Sequence, residues 1–272
     1  MSADLPADSY PLRTLELLWG RTAPSSRGPK PTLSVPKIVR TAIGIADEEG
    51  LDAVSMRRVA EELGFTTMSI YRHIPSKEDL LDLMQDAAAE FPADVDPESM
   101  PADWRAAVHW WARHNITMFR RHPWWLDLPI STPPMGPHHI RWMDLMLRAL
   151  APSGLAAEQK LGVLMLISMY TLSVGRLDQS MRRGAVRTGV NPEQWESVYT
   201  TMLAEVVDPR EFPAVAELVK DRAFTYRGTS VQDPEQLGEV PADPAHDEAY
   251  QDLAYGLDVI LDGIEALIAG SR

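Results

Sequence analysis

The sequence of 272 residues contains no cysteine, which excludes disulfide bonds and metal sites built on thiolates. We also expect no export leader, because the opening MSADLPADSY has neither a basic start nor an apolar segment. Long apolar runs are absent as well. The most apolar stretch, Leu161 to Val174, includes Ser168 and Tyr170 and is too short and too polar to cross a membrane. We therefore expect a cytoplasmic protein.

Positive charge is scarce overall, since 26 Lys and Arg stand against 39 Asp and Glu and leave a net charge of −13. Such a balance ordinarily argues against nucleic acid as a partner. Its distribution changes that interpretation. Residues 21–77 hold nine basic and six acidic residues, whereas residues 78–272 hold sixteen and thirty. Because affinity for DNA comes largely from neutralising phosphates, residues 21–77 are the candidate DNA-binding part.

Motifs typical of enzymes are incomplete or missing. His109 and His114 are five residues apart, so on a helix they do not converge on one metal ion. The sequence GAVRTG over residues 184–189 has the glycine spacing of a phosphate loop, but Val190 and Asn191 stand where lysine and a hydroxyl residue are needed. No nucleophile elbow occurs. We predict a protein that is not an enzyme, without metal or cofactor.

Residues 54–84, VSMRRVAEELGFTTMSIYRHIPSKEDLLDLM, predict two short helices joined by a tight turn. Ser55 suits the cap of the first helix, and Gly64 suits its end because glycine adopts the left-handed conformation without steric cost. Thr66 offers a cap for a second helix over residues 67–73. This arrangement is typical of a helix-turn-helix that binds DNA.

One helix precedes this pair and another follows it. Ser34 and Gly50 bound the preceding helix, which has an apolar stripe at helical spacing. Pro75 stops the second helix of the pair, and Ser76 with Asp79 then has the spacing of a capping box for the next one. The sequence therefore predicts a three-helix DNA-binding domain that runs into a further helix.

The rest of the chain shows helical periodicity, which predicts an all-α fold. A short amphipathic helix over residues 12–19 has no assigned role, and the acidic, proline-bearing residues 228–246 predict a mobile loop. The other predicted helices cover residues 103–121, 140–150, 156–182, 195–206, 211–223 and 247–269.

One short motif consists of an apolar residue, tyrosine, any residue and histidine, and here it is Ile70, Tyr71, Arg72 and His73. Lys77 and a leucine pair follow it. With them, residues 33–84 resemble the DNA-binding domain of the TetR family of bacterial transcriptional regulators. The sequences AEQKLGVLMLISMYTLSVGRLDQSMRR (157–183) and AYGLDVILDGIEALIAGS (254–271) are similar to the dimer-forming helices of the tetracycline repressor class. The resemblance implies a flexible extension over residues 1–32, a helix-turn-helix domain over 33–80 and a helical ligand-binding and dimerisation domain over 81–272.

The resemblance places the second helix of the motif in the major groove of DNA. There the Arg72 fork suits guanine, Met68 suits a thymine methyl group, and Lys77 would hold a phosphate. Alternatively, Tyr71 is half core and half phosphate contact. The implied DNA-binding residues are Arg57, Thr66, Thr67, Met68, Ser69, Tyr71, Arg72, His73 and Lys77.

Residues 20–36, GRTAPSSRGPKPTLSVP, have no helical or strand period and should be flexible when free. Arg27 and Lys30 within them are candidates for a basic arm that enters the minor groove. The alternative is a tail that binds nothing.

Six of the eight tryptophans lie between residues 104 and 142 and suggest an aromatic cavity for a large apolar ligand. Asn115 interrupts an apolar stripe there and would orient such a ligand. The alternative is that these rings are plain core. The candidate ligand-binding residues are Trp104, Trp111, Asn115, Met118, Trp142, His139, Ser168 and Arg176.

The helices around residues 161–174 and 247–269 carry broad apolar faces that must be covered on several sides. The resemblance implies a four-helix bundle contributed by two subunits, that is, a homodimer. The candidate dimerisation residues are Leu164, Ile167, Leu172, Leu257, Ile260, Leu261 and Ile264. A twofold dimer would meet successive major grooves ~34 Å apart on a palindromic double-stranded DNA operator.

Together these features predict a sequence-specific transcriptional repressor that a small-molecule effector releases from its operator. Two alternatives stay open. One is a DNA-binding regulator that needs no ligand and acts through protein partners. The other is an enzyme that uses the tryptophan-rich pocket on a small molecule.

Overall fold

The computed structural model describes residues 10–21, 33–93, 95–129, 133–189, 192–221, 223 and 248–270. Within these ranges the chain is helical and contains no strand, as the predicted all-α class requires. The proposed basic arm with Arg27 and Lys30, and the proposed loop over residues 228–246, lie outside them. The helices are α1 (Tyr10–Leu18), α2 (Val35–Glu49), α3 (Met56–Leu63), α4 (Thr67–Tyr71), α5 (Lys77–Ala88), α6 (Trp104–Arg121), α7 (Pro137–Ala149), α8 (Ala157–Thr188), α9 (Pro192–Val206), α10 (Pro213–Lys220) and α11 (Glu248–Gly270).

The caps of the DNA-binding helices follow the sequence prediction. Ser55 accepts a hydrogen bond from the N–H of Arg58 at the start of α3, and Gly64 ends that helix with φ +72°. Thr66 accepts from the N–H of Ser69 at the start of α4. These caps satisfy backbone groups that a helix end leaves without partners, and they fix where the turn falls.

Several helices differ in length from the prediction. α9 begins earlier, at Pro192, and α10 is shorter, covering Pro213–Lys220. α4 ends at Tyr71, and Arg72 and His73 form a turn, because the chain must leave the helix before Pro75. α7 begins at Pro137 because proline is well suited to the first position of a helix. The helix predicted to end near residue 182 continues to Thr188.

The chain divides into two compact units, residues 1–164 and residues 165–272. One hydrophobic core in the first unit contains residues from all five helices from α1 to α5. It also includes Trp124 and Leu128 from the turn after α6. Ile38, Ile70 and Leu80 in this core are fully buried. The DNA-binding helices therefore share one core with α1, a helix for which the sequence suggested no role.

The second unit contains most of α8 together with α9, α10 and α11. Gly256 of α11 lies against the ring of Tyr170 of α8, whose hydroxyl donates to the carbonyl of Leu253 at 3.3 Å. α8 is long and apolar enough to cross a membrane by length and composition alone, which the sequence interpretation did not anticipate. Only 33% of its most apolar window is buried, so much of its apolar surface is free in one chain.

Candidate DNA-recognition surface and effector pocket

α4 has one buried side chain, and two of the others are exposed. Ile70 has no exposed surface, whereas Met68 is 66% and Tyr71 is 42% exposed. A solvent-facing Met68 has no role in the core, and an exposed methionine beside an exposed tyrosine suits contact with base edges and sugars. The exposed side of α4 is therefore the candidate recognition surface.

The predicted DNA-binding residues of the motif lie on α3, on α4 with its cap and the turn after it, and at the start of α5. Thr66 and Ser69 are occupied with the cap of α4, with their hydroxyl oxygens 2.9 Å apart. Arg72 and Lys77 are exposed, and neither has a side-chain hydrogen bond or ion pair to another described residue. Both cations are thus available to an incoming phosphate or base.

Arg57 and Arg58 differ from these two because carboxylates already hold them. Arg57 Nε donates to Glu61 at 2.7 Å, and the hydrogen bond to Glu61 raises the pKa of Arg57. Arg58 bonds to Glu62 and to Glu49, which raise its pKa. A DNA phosphate must compete with Glu61 for Arg57. Arg58 instead joins α2 to α3 through its ion pairs with Glu49 and Glu62.

The tryptophan-rich region is filled rather than hollow. Trp110, Trp111 and Trp142 are buried. The indole of Trp111 donates to the carbonyl of Trp142 at 2.9 Å, and that of Trp142 donates to the carbonyl of Ala89 at 2.8 Å. These three rings are therefore packed in the core, and the cavity beside Trp142 is small. The bond to Ala89 also fixes the ring of Trp142, which lines this cavity.

That cavity has a volume of about 30 Å³, which is room for about one water molecule. Drug-sized ligands need ~300 Å³ or more, so an effector must widen the site to enter. Aromatic and apolar groups meet several polar side chains in its wall. The lining residues are Ala88, Glu90, Phe91, Pro92, His114, Thr117, Met118, Arg121, His122 and Trp142.

Only two candidate ligand residues, Met118 and Trp142, line this cavity. Asn115 is buried and donates to the carbonyl of Trp111 at 2.9 Å, so its amide serves its own helix. Trp104 stands at the start of α6 with Arg105 over its ring, and His139 is bound to Asp86. Ser168 and Arg176 belong to the second unit.

The sequence interpretation missed the polar lining of the cavity. His114, Thr117 and Arg121 follow one another at helical spacing on α6, which is the signal that could have identified them. Phe91 was missed because it follows α5 with no helical period around it. Its ring stacks on Trp142 with centroids 4.1 Å apart.

The predicted dimerisation residues are mostly buried within the single chain. Ile167, Leu172, Leu257, Leu261 and Ile264 are in its core, while Leu164 and Ile260 are half-buried. The large apolar side chains left exposed on α8 and α11 are others, namely Leu161, Met165, Leu166, Met169, Leu177, Val186, Tyr255, Val259 and Leu267.

Three side-chain contacts connect the cavity helices to the DNA-binding helices within the first unit. Asp47 of α2 accepts hydrogen bonds from Trp124 at 2.6 Å and from His122 at 2.9 Å. Trp125 donates to the carbonyl of Gln85 in α5 at 3.2 Å. His122 itself lines the cavity, so one residue of the cavity wall contacts the DNA-binding domain directly.

A capped helix pair with an exposed second helix, preceding an all-helical body with a small cavity, defines a helix-turn-helix transcriptional regulator. The family model for bacterial regulatory proteins of the tetR family matches residues 38–84, and the model for the tetracyclin repressor-like C-terminal domain matches residues 96–230. The chain belongs to the TetR family, and the prediction of that family is confirmed.

Individual relatives agree with this assignment. The HTH-type transcriptional repressor DrrR1 of Streptomyces coeruleorubidus is 36% identical over 265 residues, which cover 96% of this chain and 87% of the relative. ActR of Streptomyces coelicolor in complex with actinorhodin is 27% identical, with a TM-score of 0.63 over 88% of this chain and 97% of ActR. Apo ActR is 24% identical, with a TM-score of 0.65 over 91% of this chain and all of ActR. The predicted function, a DNA-binding repressor that responds to a ligand, is thus the function that its relatives support.

Proposed function

We propose that the chain is a homodimeric repressor that occupies a palindromic operator until a small molecule enters the cavity beside α6. The observation that carries this proposal is the set of contacts from Asp47 and Gln85 to the turn after α6. The same turn contributes to the cavity wall, so a ligand there displaces groups that hold the DNA-binding helices.

The effector we propose is a planar aromatic molecule with several polar groups. Phe91 and Trp142 stack on each other at one end of the cavity, and a flat ring can replace or extend that stack. Arg121 supplies donors for polar substituents, and the hydroxyl oxygen of Thr117, which donates to the carbonyl of Arg113, can also accept a hydrogen bond. ActR was solved with actinorhodin bound, which supports a small-molecule effector for this chain as well.

A second copy of the chain would cover the exposed apolar side chains of α8 and α11. Met165 is 61% and Val259 is 59% exposed, and a soluble protein does not leave a row of such residues in water. Two subunits would also present two α4 helices about 34 Å apart, one for each half of the operator.

We further propose domain bounds at residues 32 and 80, with Arg27 and Lys30 as a minor-groove arm, and a cytoplasmic location. The relatives are transcriptional regulators, which supports a function other than catalysis. A regulator that needs no ligand is the second candidate, and the small size of the cavity favours it.

Selection of duplex fragments from a random pool by the purified protein tests the proposal directly. We expect an enriched palindrome whose half-sites lie on one face of DNA, and sedimentation of the complex as one dimer per site. The same duplex then serves to screen aromatic compounds for release. Recovery of a single unpaired half-site, or of no sequence at all, would contradict the proposed dimeric repressor.

A further inference from the structure

α1 is anchored to the DNA-binding domain through one carboxylate of α5. The hydroxyl of Thr14 donates to Asp79 at 2.7 Å, and the guanidinium of Arg13 donates to its other oxygen at 2.8 Å. Neither Thr14 nor Asp79 has any exposed surface. Ser76 adds a third hydrogen bond to Asp79 at 2.7 Å, so α1 and the cap of α5 share the same buried group.

The other end of α1 contacts the segment that leads into α7. The indole Nε1 of Trp19 donates to the carbonyl oxygen of Met135 at 2.9 Å. Met135 stands just before Gly136, where any side chain would collide with the carboxyl group of Asp86. This segment therefore has its backbone held by α1 on one side and pressed against α5 on the other.

Asp86 of α5 also holds the first turn of α7. Its carboxylate accepts hydrogen bonds from the backbone N–H of His139 at 3.0 Å and from that of His138 at 3.4 Å. It accepts a third from the ring nitrogen Nδ1 of His139 at 3.0 Å. A carboxylate at the N-terminus of a helix also complements the helix dipole. Asp86 is buried, so losing these partners would leave a carboxylate without compensation.

Asp79 and Asp86 stand seven residues apart on α5, about two helical turns, and so lie on one side of it. The contacts form a closed ring that runs from Asp79 through α1 to Met135, then through the start of α7 to Asp86 and back along α5. One atom in this ring is poorly satisfied. Arg13 Nε is buried and has no hydrogen-bond partner among the residues that the structure describes. Such a contact is easier to release than a fully paired one.

We propose that α1 is a coupling helix, with Trp19 and Thr14 as positioning residues: it transmits displacement of α7 to the DNA-binding domain at Asp79, in addition to the direct contact at Asp86. The regulatory meaning rests on the proposed function, because α7 supplies Trp142 to the proposed effector cavity. Since the ring is closed, release of α1 from Asp79 loosens the start of α7, and release of α7 from Asp86 loosens the end of α1.

Hydrogen exchange on the full chain without DNA tests this ring. In the double variant Arg13→Met with Thr14→Val, we expect the amides of His138 and His139 to exchange about fivefold faster, because local opening sets their exchange rate. Asp86→Asn should in turn speed exchange at the amides of Trp19 and Arg21. The control is Arg148→Met, which removes an exposed ion pair with Glu98 outside the ring and should change neither region.

Unchanged exchange at His138 and His139 in the double variant would overturn the proposal. If circular dichroism shows that the double variant is misfolded, Trp19→Phe decides instead, because it removes one exposed hydrogen-bond donor and retains an aromatic ring. Faster exchange over residues 133–142 in that variant supports the closed set of contacts through α1, and unchanged exchange overturns it.

A second measurement uses the duplex selected from the random pool. We expect the duplex to slow exchange at His138 and His139 in the wild-type protein. In Trp19→Phe the duplex should slow exchange at these two amides less than half as much. Affinity for the duplex should stay within about threefold of the wild-type value, because the contact of Trp19 with Met135 couples the cavity to the DNA-binding domain without belonging to either site. If the duplex slows exchange equally in the wild-type protein and in Trp19→Phe, the proposed coupling is contradicted, while the proposed DNA binding is not. Failure to select any duplex contradicts the proposed function, and the exchange experiment without DNA still decides the coupling.

Discussion

The indole of Trp124 and the carboxylate of Asp47 are joined by a hydrogen bond of 2.6 Å between residues 77 positions apart in the chain. Trp124 is 2% exposed and belongs to the same core as the DNA-binding helices. His122 donates to the same carboxylate oxygen. Asp47 therefore connects the end of α6 with α2, and its loss should affect both stability and the response to an effector.

Trp124→Phe removes this bond and keeps an aromatic ring in the core. We expect a loss of about 2–4 kcal/mol in the free energy of unfolding, because a hydrogen bond to a charged group disappears and buried volume is lost. Urea denaturation measures it. Arg148→Met is the matched control on the surface, and an equal loss there would contradict the importance of Asp47.

Arg72 and Lys77 should differ in what they contribute to DNA binding. Arg72→Ala is expected to relax the preference at one base position, with a cost of about 1–3 kcal/mol against the preferred base. Lys77→Ala should weaken binding to all sequences alike and reduce the slope of affinity against salt by about one. Fluorescence anisotropy with the selected duplex and single-base variants separates the two. Intact binding in both variants would contradict the assigned recognition surface.

Gly64 holds the turn between α3 and α4 at φ +72°. A Cβ atom there meets open space, so the cost of Gly64→Ala is conformational, about 1–2 kcal/mol of unfolding free energy. Gly44 offers a control in the middle of α2, where a Cβ atom also meets nothing within 4 Å. Gly44→Ala should stabilise by about 0.5–1 kcal/mol. If both substitutions act in the same direction, the left-handed turn is not what requires Gly64.

Gly256 is the corresponding test for the second unit. A Cβ atom at this position would overlap the hydroxyl and ring of Tyr170, which would have to turn away from the carbonyl of Leu253. We expect Gly256→Ala to destabilise by about 1–3 kcal/mol and to weaken the dimer. Gly263→Ala on the same helix has open space and should be neutral or stabilising. Thermal unfolding and sedimentation measure these effects, and equal behaviour of the two variants would contradict the proposed α8–α11 contact.

Local chemistry explains which parts of the fold the sequence could predict. Ser55, Gly64, Thr66 and Ser76 act on backbone groups within a few residues of themselves, so their roles as caps could be inferred and agree with the structure. The ends of α4 and α7 were less certain because proline restricts the residue before it as well as its own position.

The candidate site depended on long-range contacts that a single sequence does not contain. Asp86 and His139 are 53 residues apart, and no local pattern pairs them. The tryptophans predicted an aromatic region correctly. Whether the rings enclose space or fill it depends on their hydrogen bonds to distant carbonyl groups, such as the bond from Trp142 to Ala89. For the same reason, no role for α1 could be inferred from residues 12–19 alone.

A cavity with room for about one water molecule has a kinetic consequence. For an effector to bind there as we propose, Phe91 and Trp142 must first separate, so its association rate should rise with concentration and then level off at the rate of that separation. At low effector concentration the repressor would leave its operator slowly, and a brief exposure to the compound would not relieve repression.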